Sequence, residues 1–203
     1  MKKSKRSSEL LMEIAQDKPL AGDLTYQHFL QRLGDRAFGI VLLFFALPSA
    51  LPSSFLPGIS LIFSLPIAIF ALQIIFARKT LWLPNVIGKR KISHEKISKI
   101  IHAAVPYLAK IERFLKPRWD LMMMPVMEII HGIAIFFLAL LLILPIPFSN
   151  FILATLVIIF SLGFAEKDGV FIVIGYIGSI LYVSFIYLLI IATIKTVLSG
   201  HGV

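Results

Sequence analysis

The chain has 203 residues, 58% of them hydrophobic and 15% charged, with a mean hydropathy of +0.90 and a formal net charge of +9. Soluble domains are nearer half apolar and a quarter charged, so an ordinary water-facing domain is excluded. The absence of cysteine excludes a disulfide framework and a thiolate metal site.

Residues 1–23 read as a cytoplasmic tail. Its start, Met1 to Arg6, is basic but lacks the apolar run and small-residue cleavage site of a signal peptide. The mature protein is expected to keep it. Residues 8–20 read as a short surface helix or a loose tail. Residues 24–37 read as an amphipathic helix. Asp23 or Thr25 is placed to cap it, because a side-chain oxygen there accepts an orphan N–H of the first turn. Phe29, Leu30 and Leu33 give an apolar face, and Gln27, Gln31, Arg32 and Asp35 a polar one. This segment is expected to lie along the membrane surface and feed into the first apolar run.

Apolar runs follow at 38–51, 59–77, 129–144, 151–165 and 170–194. Proline-rich turns join the first four into two hairpins, 38–77 and 129–165. At the helical rise the five runs would cover about 21, 28, 24, 22 and 37 Å. The hydrocarbon core is roughly 30 Å thick, so only 170–194 is long enough to span with tilt. The hairpins are therefore read as re-entrant, going in and out on one face, with a fully spanning hairpin as the open alternative. Their tips belong inside protein, because lipid cannot satisfy irregular backbone. Residues 199–203 are a short tail.

A shift of 93 residues sets Gly39 on Gly132, Phe44 on Phe137, Pro52 on Pro145 and Phe55 on Phe148, with eight identities in the seventeen positions from 39 to 55. An internal repeat is expected, although any two proline-tipped apolar hairpins share part of this likeness. Repeated hairpins with broken helices are a common transporter plan, with the site between the repeats. Parallel and inverted arrangements both stay open.

Residues 78–118 hold eleven Lys/Arg and two acids, Glu95 and Glu112, whereas the segment before residue 37 holds seven and five. The positive-inside rule puts the linker 78–128 in the cytoplasm. Within it, 93–116 reads as an amphipathic helix capped by Ser93, with Glu95–Lys99 and Glu112–Lys116 as i,i+4 pairs. Pro106 is expected to kink or split it. Its basic face would meet anionic lipid headgroups, or be solvated on a cytoplasmic helix pair packed against the hairpins. Nucleic acid is not the expected partner.

Charges beside apolar runs are costly to bury and so point to function. Arg36 precedes the first hairpin, Glu128 and His131 open the second, and Glu166 and Asp168 close it. The 93-residue shift sets Glu166 on Gln73. All would lie near the hairpin bases. They read as an ion or substrate site in which Arg36 pairs with Glu166, or as an interface rim of snorkelling charges. The tips carry Ser53, Ser54, Ser149 and Asn150. These helix ends suit an anion, or the side chains simply cap them. No P-loop, nucleophile elbow or metal-ligand cluster occurs in the sequence, so neither enzyme activity nor a cofactor is expected.

The motifs then fall in a recognisable order: Gly34-Asp-Arg36-Ala-Phe-Gly39, the Leu47-Pro48 and Leu51-Pro52 steps, Pro57-Gly58, Leu65-Pro66, Ala71-Leu-Gln73, Trp82-Leu-Pro84, Leu144-Pro-Ile-Pro147-Phe148 with Asn150, and Glu166-Lys-Asp168-Gly169. This order resembles the ExoD family of exopolysaccharide synthesis proteins over roughly residues 20–198. The resemblance implies a bacterial membrane protein linked to exopolysaccharide production and to tolerance of alkaline conditions. It brings no catalytic residue; Arg36, Gln73, Glu166 and Asp168 match the family's polar positions.

The expectation is an all-α, multi-pass protein of the bacterial inner membrane, with a single membrane domain over 24–198 and a cytoplasmic N-terminus and linker. It would be a small transporter of an ion, a proton or a phosphate-bearing lipid carrier. The alternative is a non-catalytic scaffold of a polysaccharide assembly complex. Membrane lipids, polysaccharide assembly proteins and a second copy of the chain are the expected partners; Gly175, Gly178 and Ser179 would permit close helix contact.

Overall fold

The computed structural model describes residues 6–16, 25–51, 59–78, 80–91, 93–144 and 149–200. Their regular structure is helical: α1 (Ser7–Gln16), α2 (Tyr26–Leu33), α3 (Ala37–Ser49), α4 (Ile59–Ile75), α5 (Asn85–Gly88), α6 (His94–Glu112), α7 (Pro125–Ile143), α8 (Ser149–Glu166) and α9 (Gly169–Gly200). The turns 52–58 and 145–148, with Ser53 and Ser54, lie outside the described residues.

The predicted helix 24–37 divides in two. Of its candidate caps, Thr25 serves: its hydroxyl accepts the His28 N–H at 3.3 Å. Gly34 ends α2 with a φ of 57°, which glycine adopts without a steric penalty. A 3-10 turn over Gly34–Arg36 follows, and α3 begins directly behind Arg36.

Two length expectations change. Helices α7 and α8 have 19 and 18 residues and rise about 28 and 27 Å. They outrun the apolar runs because helix formation does not stop where hydropathy does. Pro125 opens α7 at a first-turn position, where its missing N–H removes no bond. With Gly169–Val197 of α9, these are the helices long and apolar enough to cross a membrane among the described residues. In the linker, α6 runs as one helix through Pro106, so of the expected kink or split the split does not occur. His102 and Pro106 are both exposed, and on the exposed side of a helix solvent can serve a carbonyl that proline leaves without its donor.

Helices α3, α4, α7 and α8 pack into a bundle around Leu42, Ile67, Ile135, Leu138, Leu153 and Phe160. The main contacts are crossed: α3 lies along α8, and α4 along α7. Gly39 makes the first approach, since a Cβ there would come within 2.7 Å of the Ser161 carbonyl oxygen. Gly132 makes the second, where a Cβ would sit 3.0 Å from Ile74 Cγ2. Helix α9 packs on α8, but its second half leaves Phe185, Leu188, Leu189 and Ile194 exposed.

A cap covers one end of the bundle. Helix α1, expected as a surface helix or loose tail, packs along α6 and buries Leu11, Ile14 and Ala15. The opposing face of α6 buries Ile97, Ile101, Val105 and Leu108. The start of α1 meets the end of α6 at Ser8 and Glu112, so the two run antiparallel.

Candidate functional site

The first turn of α3 and the last turn of α8 meet under the cap, and this brings Arg36 to Glu166. Arg36 Nη1 donates to Glu166 Oε1 at 2.9 Å, to the Ala165 carbonyl at 2.8 Å and to Ser7 Oγ at 2.9 Å. The Ser7 N–H donates to the same Glu166 oxygen at 3.0 Å. One residue on, the Ser8 N–H donates to Glu112 Oε1 at 2.7 Å, and the Ser8 hydroxyl donates to Glu112 Oε2. The N-terminus of α1 thus faces two carboxyls, the charge a helix start favours. Glu112 is 1% exposed. Burial pushes its carboxyl above the ordinary glutamate value; the Ser8 O–H and N–H pull it back, and Glu166 pushes it up again.

Asp168 sits in a separate node at the turn between α8 and α9. It is fully buried and accepts from the Lys116 N–H, the Arg118 Nε–H and the Val170 N–H, each at 3.0 Å. Burial works against its charge, but Arg118 and the two backbone N–H groups outweigh that and hold its carboxyl below the usual aspartate value. The Gly169 N–H donates to the Arg118 carbonyl at 3.0 Å. The end of the basic linker is thereby stitched to the start of α9.

The remaining candidates form nodes of their own. His131 is 1% exposed and uses both ring nitrogens, Nδ1 on the Tyr176 hydroxyl at 2.7 Å and Nε2 on the Met122 carbonyl at 2.9 Å. Gln73 closes a two-bond ring with the backbone of Trp82: its amide donates to the carbonyl at 3.1 Å, and its carbonyl accepts the N–H at 2.8 Å. Gln27 of α2 takes the Leu81 carbonyl and the Leu83 N–H in the same way. Glu128 is half-buried in the first turn of α7, within electrostatic reach of Asp35 and Lys167. Those two pair with each other at 3.1 Å.

Arg36, Gln73, Glu128, His131, Glu166 and Asp168 therefore lie at the base end of the bundle, but they do not converge on one point. Ser149 and Asn150 are buried in the first turn of α8, at the opposite end of that helix from Glu166. A small recess of about 60 Å³ between α7 and α9 is lined by Phe137, Leu141, Tyr182, Val183 and Ile186, none of them a candidate. Among the described residues no group of three His, Asp or Glu side chains is placed to hold a metal ion.

The residues missed in the sequence are Ser7, Ser8, Glu112, Arg118 and Tyr176. One signal was available for Glu112. It continues the row Ile97, Ile101, Val105 and Leu108, the buried stripe of α6, so a charge there needs a partner beyond its own helix. The expected surface pair with Lys116 gives way to Ser8 for this reason.

With this geometry in hand, the chain was compared with known proteins. The family profile described as "Exopolysaccharide synthesis, ExoD" matches residues 7–188. "Uncharacterized protein slr1875" of Synechocystis sp. is 34% identical over 148 residues, covering 72% of this chain and 69% of that protein. "Protein ExoD" of Rhizobium meliloti is 28% identical over 157 residues, covering 75% of this chain and 65% of that protein, a little under two thirds. No solved structure matches.

Proposed function

This chain belongs to the ExoD family, and from that premise we propose that it serves exopolysaccharide synthesis as a non-catalytic scaffold of the bacterial inner membrane. One observation carries the reading. Arg36, Gln73, His131, Glu166 and Asp168 all bond to groups of the chain itself. Ser7–Glu166 ties the cap to α8, Trp82–Gln73 and Arg118–Asp168 tie the linker to α4 and to the α8–α9 turn, Arg36–Glu166 ties α3 to α8, and His131–Tyr176 ties α7 to α9. A transport site needs polar groups left for its cargo, whereas these act as staples that hold a cap on a bundle. The exposed apolar length of α9 supplies a surface for polysaccharide assembly proteins or a second copy.

The basic linker supports a cytoplasmic cap. On α6 and the turn after it, Ile100, Tyr107 and Phe114 are exposed beside the basic side chains of Lys99, Lys110 and Arg113. An apolar stripe with cationic flanks suits an anionic lipid surface. The crossed packing of α3 on α8 and α4 on α7 is what a two-fold exchange of the hairpins would produce, and the sequence-matched Gly39 and Gly132 stand at its two crossings. This supports a parallel internal repeat.

The transporter alternative, for an ion, a proton or a phosphate-bearing lipid carrier, draws on helix length. Helices α8 and α9 share the base turn and have 18 and 32 residues, or about 27 and 48 Å. At about 27 Å, α8 stays within a hydrocarbon core of roughly 30 Å, which supports a hairpin tip held at membrane depth, where a cargo site would sit. Affinity capture of the full-length protein from its native membrane, beside flux assays in reconstituted vesicles, tests the choice. The scaffold reading expects polysaccharide assembly proteins to co-purify and proton or cation flux to equal that of empty vesicles. Flux above that background, abolished by Glu166→Gln in folded protein, would overturn it.

A further inference from the structure

One cluster carries more negative charge than it can hold. Ser7 and Ser8 are consecutive residues, about 3.8 Å apart, and their N–H groups donate to different carboxyls, at 3.0 Å to Glu166 and 2.7 Å to Glu112. The two carboxyls therefore stand side by side. Both are buried, Glu166 at 4% and Glu112 at 1% exposure. They come from α8 and α6, so the tertiary fold has put them there. Arg36, from the start of α3, pairs with Glu166. Among the described residues no cation forms an ion pair with Glu112.

The other charges near the cluster face elsewhere. Lys167 turns out to Asp35 at 3.1 Å. On α1, Glu9 accepts the Arg6 backbone N–H at 3.1 Å. On α6, Lys110 and Arg113 are exposed. Two carboxylates with one guanidinium, in a site that excludes water, suffer both desolvation and mutual repulsion if both ionise.

We propose that Glu112 holds a proton beside the Arg36–Glu166 pair, and that this proton locks α1 and α6 onto the base of the bundle. The proton comes from water and returns to it; no other bond changes. Ser7 and Ser8 give each carboxyl a hydrogen bond from α1, and Ser8 reaches both oxygens of Glu112. With the proton present, the site holds one negative charge against Arg36. With it lost, repulsion falls at the contact of α1, α6 and α8.

The sign of the pH dependence follows. The docked cap binds more protons than an undocked one, because Glu112 is raised above its ordinary value only when buried. Docking is therefore fully supported below the ordinary glutamate value and weakens as pH rises through the raised one. This inference is independent of the scaffold reading, since a titrating latch fits a scaffold or a transporter equally.

The test uses full-length protein in lipid nanodiscs. Infrared difference spectra report protonated carboxyls directly. The expected result is a protonated-carboxyl band at neutral pH that is lost in both Glu112→Gln and Glu166→Gln. Spin labels on cysteines at Gln16 and Ala103, in a chain without native cysteine, report the α1–α6 separation. That separation should be narrow at neutral pH and broaden at strongly alkaline pH, and in Glu112→Gln it should stay narrow throughout. A folded wild-type protein whose band survives both substitutions, or whose label separation ignores pH, would overturn the proposal. If Glu112→Gln does not fold, Glu166→Gln supplies both readouts.

Discussion

Helices α8 and α9 are joined by only Lys167 and Asp168, and both are apolar enough to cross a membrane, yet they meet different surroundings. Helix α8 buries Leu153, Ala154, Val157, Phe160, Ser161 and Ala165 against α3, α7 and α9. Helix α9 is buried only sparsely, and its second half exposes Phe185, Tyr187, Leu188, Leu189 and Ile194. Hydropathy does not separate the two, because lipid tails and a protein interior are about equally apolar. Side-chain size does. Ser161, Gly163 and Ala165 let neighbouring backbones close on α8, most tightly at Gly39. The stretch 185–191 of α9 is bulky throughout. A helix of small residues is built for protein neighbours, and a helix of large ones for lipid or a partner.

Substitutions can break or sharpen this contrast. The largest effect belongs to Arg36→Ala, which strands the buried Glu166 carboxylate at the foot of α8. Removing one partner of a buried pair costs about 3–5 kcal/mol, to be read from chemical unfolding in detergent. Leu153→Ala on α8 comes next, at about 2–5 kcal/mol for a filled core position. Asp168→Asn, at the joint between the two helices, weakens three hydrogen bonds to a charged acceptor and is expected to cost about 1.5–3 kcal/mol. Its pH signature is specific. The Asp168 carboxyl is held low, so its contribution is present above the ordinary aspartate value and is lost as pH falls through the depressed one. The Asp168→Asn variant should lack that part of the acid dependence. Leu188→Ala on α9 should change stability by no more than about 0.5 kcal/mol. Similar costs at Leu153 and Leu188 would erase the distinction between the helices.

Much of the fold was legible because it rests on local physics. The apolar runs located the hairpins and α9, Thr25 was available as a cap, and Arg36 and Glu166 were readable as a pair at the bases. Four things were not legible. Glu112 looked like the partner of Lys116 because an i,i+4 pair is visible in one helix, whereas Ser8 is 104 residues away. The tie between Asp168 and the linker also needs the tertiary fold, since Arg118 is 50 residues distant. Gln73 aligned with Glu166 in the repeat, but its amide closes a ring with loop backbone instead of joining a charged site. The continuity of α6 through Pro106 depended on which side of the helix faced outward.

The central claim is that the polar groups at the hairpin bases hold the molecule together rather than bind a cargo. The double variant Arg36→Met with Glu166→Gln tests it most directly, because it removes both charges at once and keeps an acceptor for the Ser7 N–H. Stability in detergent and exopolysaccharide output in cells lacking the native gene are measured together. The account predicts that the double variant recovers most of the stability lost in Arg36→Ala and sustains normal output. A double variant that folds and inserts normally yet yields no exopolysaccharide would contradict it.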